Sequence, residues 1–242
     1  MIVTKADVKA AMDSGGVPLV DHRPNDQYIG INKHGKAARN GTIPAIVYAE
    51  GEHSRRAATE LLVLLGDIGK LKDEDSPDKL QRGLRDRIAG SLSALPLLLR
   101  LADQEKGRSR AAPNFSRLRL LLAENELSAL AGEISGLSVV YPFQGTGILP
   151  ARASLPRVRN ALQLHKTLCL ACHDFPYLDT QRPAFNLYDQ AKKLPEREFA
   201  ARMLVGVRGD TTTGLGNPFT DEEIAALIVL YRSTESTEEA LR

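Results

Sequence analysis

Apolar residues recur at helical spacing over most of this chain, and only its first quarter breaks the rhythm. From about Ser54, the residues Ala57, Ala58, Leu61, Leu62 and Leu65 share one face of a helix, and Gly66 reads as its stop. Residues 67–83 are dense in mixed charge and read as a solvated linker. Three helical stretches are predicted next, over 88–102, 116–122 and 126–137, followed by a Pro/Gly-rich connector over 141–152. A second run of helices starts at 155–168, where Pro156 sits well in a first turn. Residues 174–194 read as irregular, and Pro195 opens a helix to about Val207. Thr220 with Glu223 three residues on forms a capping box. It launches a helix whose buried face is Ile224, Leu227, Ile228 and Tyr231. Before residue 54 the signal is mixed. Residues 5–12 are a short helical pattern, while 17–20 and 45–48 are apolar runs of strand length.

Composition narrows the class. The chain has 242 residues, room for one large domain or two ordinary ones. With 43% hydrophobic and 26% charged residues it is a folding sequence. Lys plus Arg is 32 against 30 acidic residues, a net +2, which argues against a dedicated nucleic-acid binder. No apolar stretch reaches the roughly 18–20 residues of a membrane span. The most apolar window, 88–99, carries Pro96 between Arg87 and Arg100 and reads as a core helix. The N-terminus has no basic head followed by an apolar run, so no signal peptide is visible. The basic residues Arg100, Lys106, Arg108, Arg110, Arg117 and Arg119 read as a solvated face or, alternatively, a docking patch.

The two cysteines change the picture most. Both lie in Cys169-Leu170-Ala171-Cys172-His173, which excludes a disulfide framework and a four-cysteine metal site. Cys-x-x-Cys-His is the attachment sequence of c-type haem. One helical turn puts both sulfurs on one side, within reach of the two vinyl groups on one porphyrin edge. The adjacent histidine then brings its imidazole to the iron. Two other readings use the same residues. A redox dithiol would want the pair after a strand in a βαβ unit, and here a helix precedes it. A zinc site needs four ligands, and only His165 and His173 lie nearby.

Around this motif, residues 153–233 resemble a class I c-type cytochrome domain. The matching parts are the helix leading to His173, the loop Arg182-Pro183-Ala184-Phe185-Asn186-Leu187, a middle helix ending at Gly206, a loop over 210–218, and the capped last helix. The resemblance implies one covalent haem c on Cys169 and Cys172, with His173 as proximal ligand. It also implies that the Pro183 carbonyl meets the other ring nitrogen of His173, which would fix the tautomer and ring plane. The family usually places a Met just before the last helix, and none stands there. Met203 is the one methionine after the motif; it reads either as a distal iron ligand or as core packing beside Phe199. Thr211, Thr212 and Thr213 would supply hydroxyls to an open distal site. His165, a turn before Cys169, reads as partly exposed or as a support behind the haem.

The N-terminus shows a weaker resemblance. Val17-Pro18-Leu19-Val20-Asp21-His22-Arg23-Pro24, Gly41-Thr42-Ile43-Pro44-Ala45 and residues 46–58 are similar to the strand, turn and active-site segments of rhodanese-like domains. The segment between them is short, and Ala49 stands where that family has its nucleophilic Cys, so no sulfurtransferase activity is expected. An unrelated small α/β segment reads the same residues equally simply.

The expected architecture is therefore mainly α. It has a shortened rhodanese-like α/β segment at 1–70, a helical middle region at 71–152 and a cytochrome c-like haem domain at 153–242. The function this implies is single-electron transfer between redox partner proteins, within or beside a larger oxidoreductase complex. It would be periplasmic or otherwise extracytoplasmic, as haem c implies, with no nucleic-acid partner, no membrane span and no catalytic residues of its own. The alternative is a haem enzyme, or a small-ligand or sulfur-handling haem protein, with an open or weak distal site.

Overall fold

The computed structural model describes residues 2–4, 42–44, 51–73, 76–175, 180–208, 214–215 and 219–233. The helix expected at 5–12, the strands at 17–20 and 45–48, Ala49, and Thr211 to Thr213 lie outside them. Of the N-terminal segment, the described backbone is an antiparallel ladder of β1 (Ile2–Thr4) and β2 (Thr42–Pro44), with Ile2 opposite Pro44.

The rest is mainly helical. The elements are α1 (Glu52–Leu71), α2 (Asp78–Glu105), α3 (Phe115–Ala123), α4 (Leu127–Val140), α5 (Leu155–Leu164), a π-helical turn (His165–Cys169), α6 (Leu170–His173), α7 (Leu187–Lys193), α8 (Glu196–Val205) and α9 (Asp221–Arg232). A short ladder of β3 (Val207–Arg208) and β4 (Gly214–Leu215) precedes α9. No helix among the described residues is long and apolar enough to cross a membrane.

Two apolar cores share α1. Its residues Ala57, Leu61, Leu64, Ile68 and Leu71 pack with Leu84, Ile88, Leu92, Leu95 and Leu99 of α2, and with α3 and α4. From another face, Ala58 and Val63 join Phe143, Ile148, Phe199, Ile224, Leu227 and Tyr231 in the second core. Each large side chain fully withdrawn from water contributes about 1.5–3 kcal/mol, so the two-sided burial makes α1 the central helix. The boundaries expected at 70/71 and 152/153 therefore do not divide the packing. Helix α1 belongs to both cores, and the connector residues Phe143 and Ile148 are buried in the second.

Three local expectations change for the same reason. Helix α1 continues through Gly66, because Ile68 and Leu71 extend its buried face by another turn. A Cβ at Gly66 would run into the Glu198 carboxylate and sit 2.8 Å from the Arg202 guanidinium, so the missing side chain admits α8. The linker shrinks from 67–83 to the few residues between α1 and α2. Within 174–194, expected to be irregular, α7 forms under an Asn186 cap that accepts from the Asp189 N–H at 3.1 Å. The capping box forms as expected: the Glu223 N–H donates to Thr220 Oγ1, and the Thr220 N–H donates to the Glu223 carboxylate.

Charges read from the sequence as surface are partly internal. Asp67, 1% exposed, accepts two parallel bonds from Arg87, at 2.5 and 2.6 Å, and a third from Arg202 at 2.8 Å. This ties α1, α2 and α8 together. Burial opposes ionisation of Asp67, but the two guanidinium groups outweigh it and hold the carboxyl below its ordinary range. At the other end of α1, Arg55 donates to Asp221 at 2.7 Å, linking α1 to the first turn of α9. Arg197 donates to the Phe143 carbonyl and lies over the Phe143 ring. Lys166, Lys192 and Lys193 are exposed.

Lys70 stands on the edge of the Asp67 network. Burial, then Arg202, pulls its pKa from 10.5 to about 8. Below about pH 8 both folded and unfolded chains hold the proton, and the charged lysine costs stability. Between about 8 and 10.5 the folded state releases it first, so stability from this group rises through that window. Lys70→Met is expected to raise the urea midpoint at neutral pH and to remove the alkaline rise. A midpoint that falls at neutral pH would show that Lys70 is held favourably.

Candidate functional site

The Cys-x-x-Cys-His segment sits at the end of a helix docked on α9. Val158 and Ala161 of α5 are buried against α9, and Pro156 occupies the first turn of α5. At His165 the backbone widens into a π turn, with the Leu170 N–H bonding the His165 carbonyl. The extra residue sets the direction of every side chain beyond it. His165 points inward at 3% exposure, Leu168 outward at 61%, Cys169 is half-buried and Cys172 exposed. Both thiols are free.

His173, on the last turn, is half-buried. Its Nδ1–H donates to the Phe185 carbonyl at 2.6 Å. The carbonyl in this position is thus two residues beyond the Pro183 expected from the resemblance. The loop explains the choice. Phe185 immediately precedes the Asn186 cap of α7, so its peptide is fixed by the helix start. Upstream, the Gln181 carbonyl lies against Gly83 of α2 so closely that a Cβ there would overlap it. The loop is held at both ends, and its carbonyl faces the imidazole. With Nδ1 carrying the proton, Nε2 keeps its lone pair for a ligand.

His165 is a buried hub, not a partly exposed residue. Its Nδ1 is 3.1 Å from the Tyr231 hydroxyl and its Nε2 is 3.3 Å from Asp174 Oδ2. Tyr188 and Tyr231 pack edge-on to its ring, with centroids 5.5 Å away in each case. Burial pushes the Cys169 thiol above its ordinary pKa against the help of Tyr231, and burial with the neighbouring Cys169 pushes Tyr231 up in turn. Met203 lies on α8, half-buried and packed against the second core.

No protein-family model, curated protein or solved structure significantly matches this chain. The site's chemistry must therefore be read from its own geometry. A reactive redox dithiol needs a lowered thiol pKa at its attacking cysteine, and burial moves Cys169 the other way. Among the described residues no three His, Cys, Asp or Glu side chains converge as a metal-ligand set, so the zinc reading has no donor set there. Sequence reasoning marks Cys169, Cys172 and His173 as candidates. It missed Tyr231, Asp174 and the Phe185 carbonyl as partners; the four-residue spacing of His165 and Cys169 was the available signal.

Proposed function

We propose that the chain is a monohaem c-type cytochrome that passes single electrons between redox partner proteins. Cys169 and Cys172 would hold the haem by thioether bonds, and His173 Nε2 would ligate its iron. When bound, the haem supplies a one-electron couple tuned by its ligands and its burial. The observation that carries the reading is the His173 Nδ1–H bond to the Phe185 carbonyl. It selects the tautomer an axial ligand requires, makes Nε2 more basic and fixes the ring plane.

The surroundings fit the same group. Leu168 and Phe175 are 61% and 67% exposed beside the motif, and Phe185 is also exposed. A flat apolar cofactor on this face would cover side chains that otherwise meet water. The haem attachment implies an extracytoplasmic compartment, and the exposed Lys166, Lys192 and Lys193 would face an acidic partner. The packing of Met203 into the core favours a second reading, in which the distal site is weak or open and the iron takes a small ligand.

The test is direct. The purified holoprotein is expected to keep its haem through acid–acetone extraction, and Cys169→Ala with Cys172→Ala is expected to abolish that retention. Wild-type protein that releases all its haem, or carries none, overturns the assignment. The ferric spectrum then separates the two readings. A Met–iron band lost in Met203→Ala marks six-coordinate electron transfer. A high-spin signal with ready cyanide binding marks an open site.

A further inference from the structure

The turn that carries the motif has little of its own to hold it. Helix α6 is four residues long, and none of the four is buried. A single helical turn is not stable alone in water, because its nucleation cost is not recovered. Its outer face, with Ala171 and Cys172, meets solvent. One residue of the preceding turn holds it at both ends. The His165 carbonyl takes the Leu170 N–H, where a regular helix would give that carbonyl to residue 169. At the far end, His165 Nε2 is 3.3 Å from Asp174 Oδ2. Between these points the turn closes on itself, the Asp174 N–H donating to the Leu170 carbonyl at 3.0 Å. A carboxylate only accepts, so the Nε2 proton points at Asp174. The other oxygen, Asp174 Oδ1, is buried and meets no hydrogen-bond donor among the described residues, so His165 is what orients this side chain. His165 is itself locked in place. It is 3% exposed, its Nδ1 is 3.1 Å from the Tyr231 hydroxyl, and Tyr188 of α7 and Tyr231 of α9 stand edge-on to its ring.

We infer that His165 is the positioning residue for His173: by gripping residues 170–174 at both ends, it keeps the His173 imidazole on the Phe185 carbonyl and the Nε2 lone pair free. The inference deepens the haem reading and rests on it only for the group that Nε2 would receive. The route runs through the backbone. Asp174 follows His173 directly, so releasing the Asp174 side chain lets the last peptide of α6 rotate. The His173 ring then leaves its acceptor, which now stands 2.6 Å from Nδ1. Without that acceptor the proton redistributes between the two ring nitrogens. Rigidity therefore passes outward from the second core, through Tyr231 and His165, to an exposed turn that has no apolar anchor of its own. His165 acts through Asp174 and the Leu170 peptide and touches no group that would react.

The test reads the tautomer of His173 by long-range proton–nitrogen correlation spectroscopy in the full-length chain expressed without haem. It is run at about pH 8.5, well above the ordinary histidine pKa of about 6.5. Wild-type protein is expected to show one form, with the proton on Nδ1. Asp174→Ala and His165→Phe are each expected to turn that single form into an exchanging mixture in which Nε2–H dominates, while the helical circular dichroism stays native. His165→Phe keeps a buried ring, so a role in packing alone predicts no change there. His165→Gln keeps an N–H donor toward Asp174, and Asp174→Asn keeps an acceptor; both are expected to preserve the single form. Should His165→Phe fail to fold, Asp174→Ala, on the solvent side of the link, decides. An unmoved tautomer in Asp174→Ala overturns the inference, as does a mixture in wild-type protein. In chains that carry haem, Asp174→Ala and His165→Phe are expected to raise the reduction potential, and the two conservative variants to leave it near wild type. A chain that shows the tautomer shifts but retains no haem loses the cytochrome reading and keeps the positioning role. One that retains haem with its tautomer unmoved keeps the reading and loses the role.

Discussion

Asp67→Ala is expected to destabilise the protein by about 3–5 kcal/mol, measured as the shift in urea unfolding at neutral pH. The carboxylate is buried and carries three bonds from Arg87 and Arg202. Its loss leaves two half-buried guanidinium groups facing each other without their shared anion, which is the costly way to break a buried ion pair. Asp67→Asn keeps the shape and part of the hydrogen bonding, and is expected to cost less. The acid limb carries the sign. The folded-state pKa of Asp67 lies below the 3.8 of the unfolded chain, so its contribution is fully present above that value. It is lost as pH falls through the folded pKa. Both variants are expected to lose that part of the acid sensitivity. An Asp67→Ala midpoint within experimental error of wild type would show that the network contributes nothing net.

The second large effect lies far from the motif in sequence. Gly83→Ala puts a methyl group where the Gln181 carbonyl now sits, and that neighbour is backbone rather than a flexible side-chain end. Overpacking of this kind costs about 1–3 kcal/mol. The loop is expected to move off α2 and carry the Phe185 carbonyl away from His173. Without that acceptor the imidazole would be a weaker donor to the iron of the proposed haem and would stabilise its ferric state less. The reduction potential of the proposed haem is therefore expected to rise in Gly83→Ala, in a protein whose Cys169, Cys172 and His173 are untouched. An unchanged potential would separate α2 from the site. A potential that rises while the helical circular dichroism stays native would assign the middle region its role: it holds the loop that orients the ligand.

How much of this was legible in the sequence depended on the range of each interaction. The capping box of Thr220 and Glu223 and the apolar face of α9 are spaced within one or two turns, so the pattern alone placed them. The Cys169–His173 motif is equally local. Gly66 was misread as a stop because glycine weakens a helix locally, while the packing of Ile68 and Leu71 that overrides it comes from other elements. The pairing of Arg202 is not legible in the sequence because its partner, Asp67, is distant in the chain. The Phe185 carbonyl was missed by two residues, since the exact register of a loop follows from the Asn186 cap and the Gly83 contact together. The buried contact of His165 is invisible in the sequence, because Tyr231 is 66 residues away and its side of α9 shows only as an apolar position.

The two faces of α1 bear on how the molecule comes apart. A helix buried by both cores serves each as a bound ligand serves its receptor: either core is stabilised by the free energy with which the other holds α1 in place. Thermal melting would then proceed as one cooperative event rather than as the successive loss of two modules. A protease that reaches the loop between the cores would find no autonomous C-terminal fragment to release, and the boundaries that look severable along the chain are not thermodynamic ones.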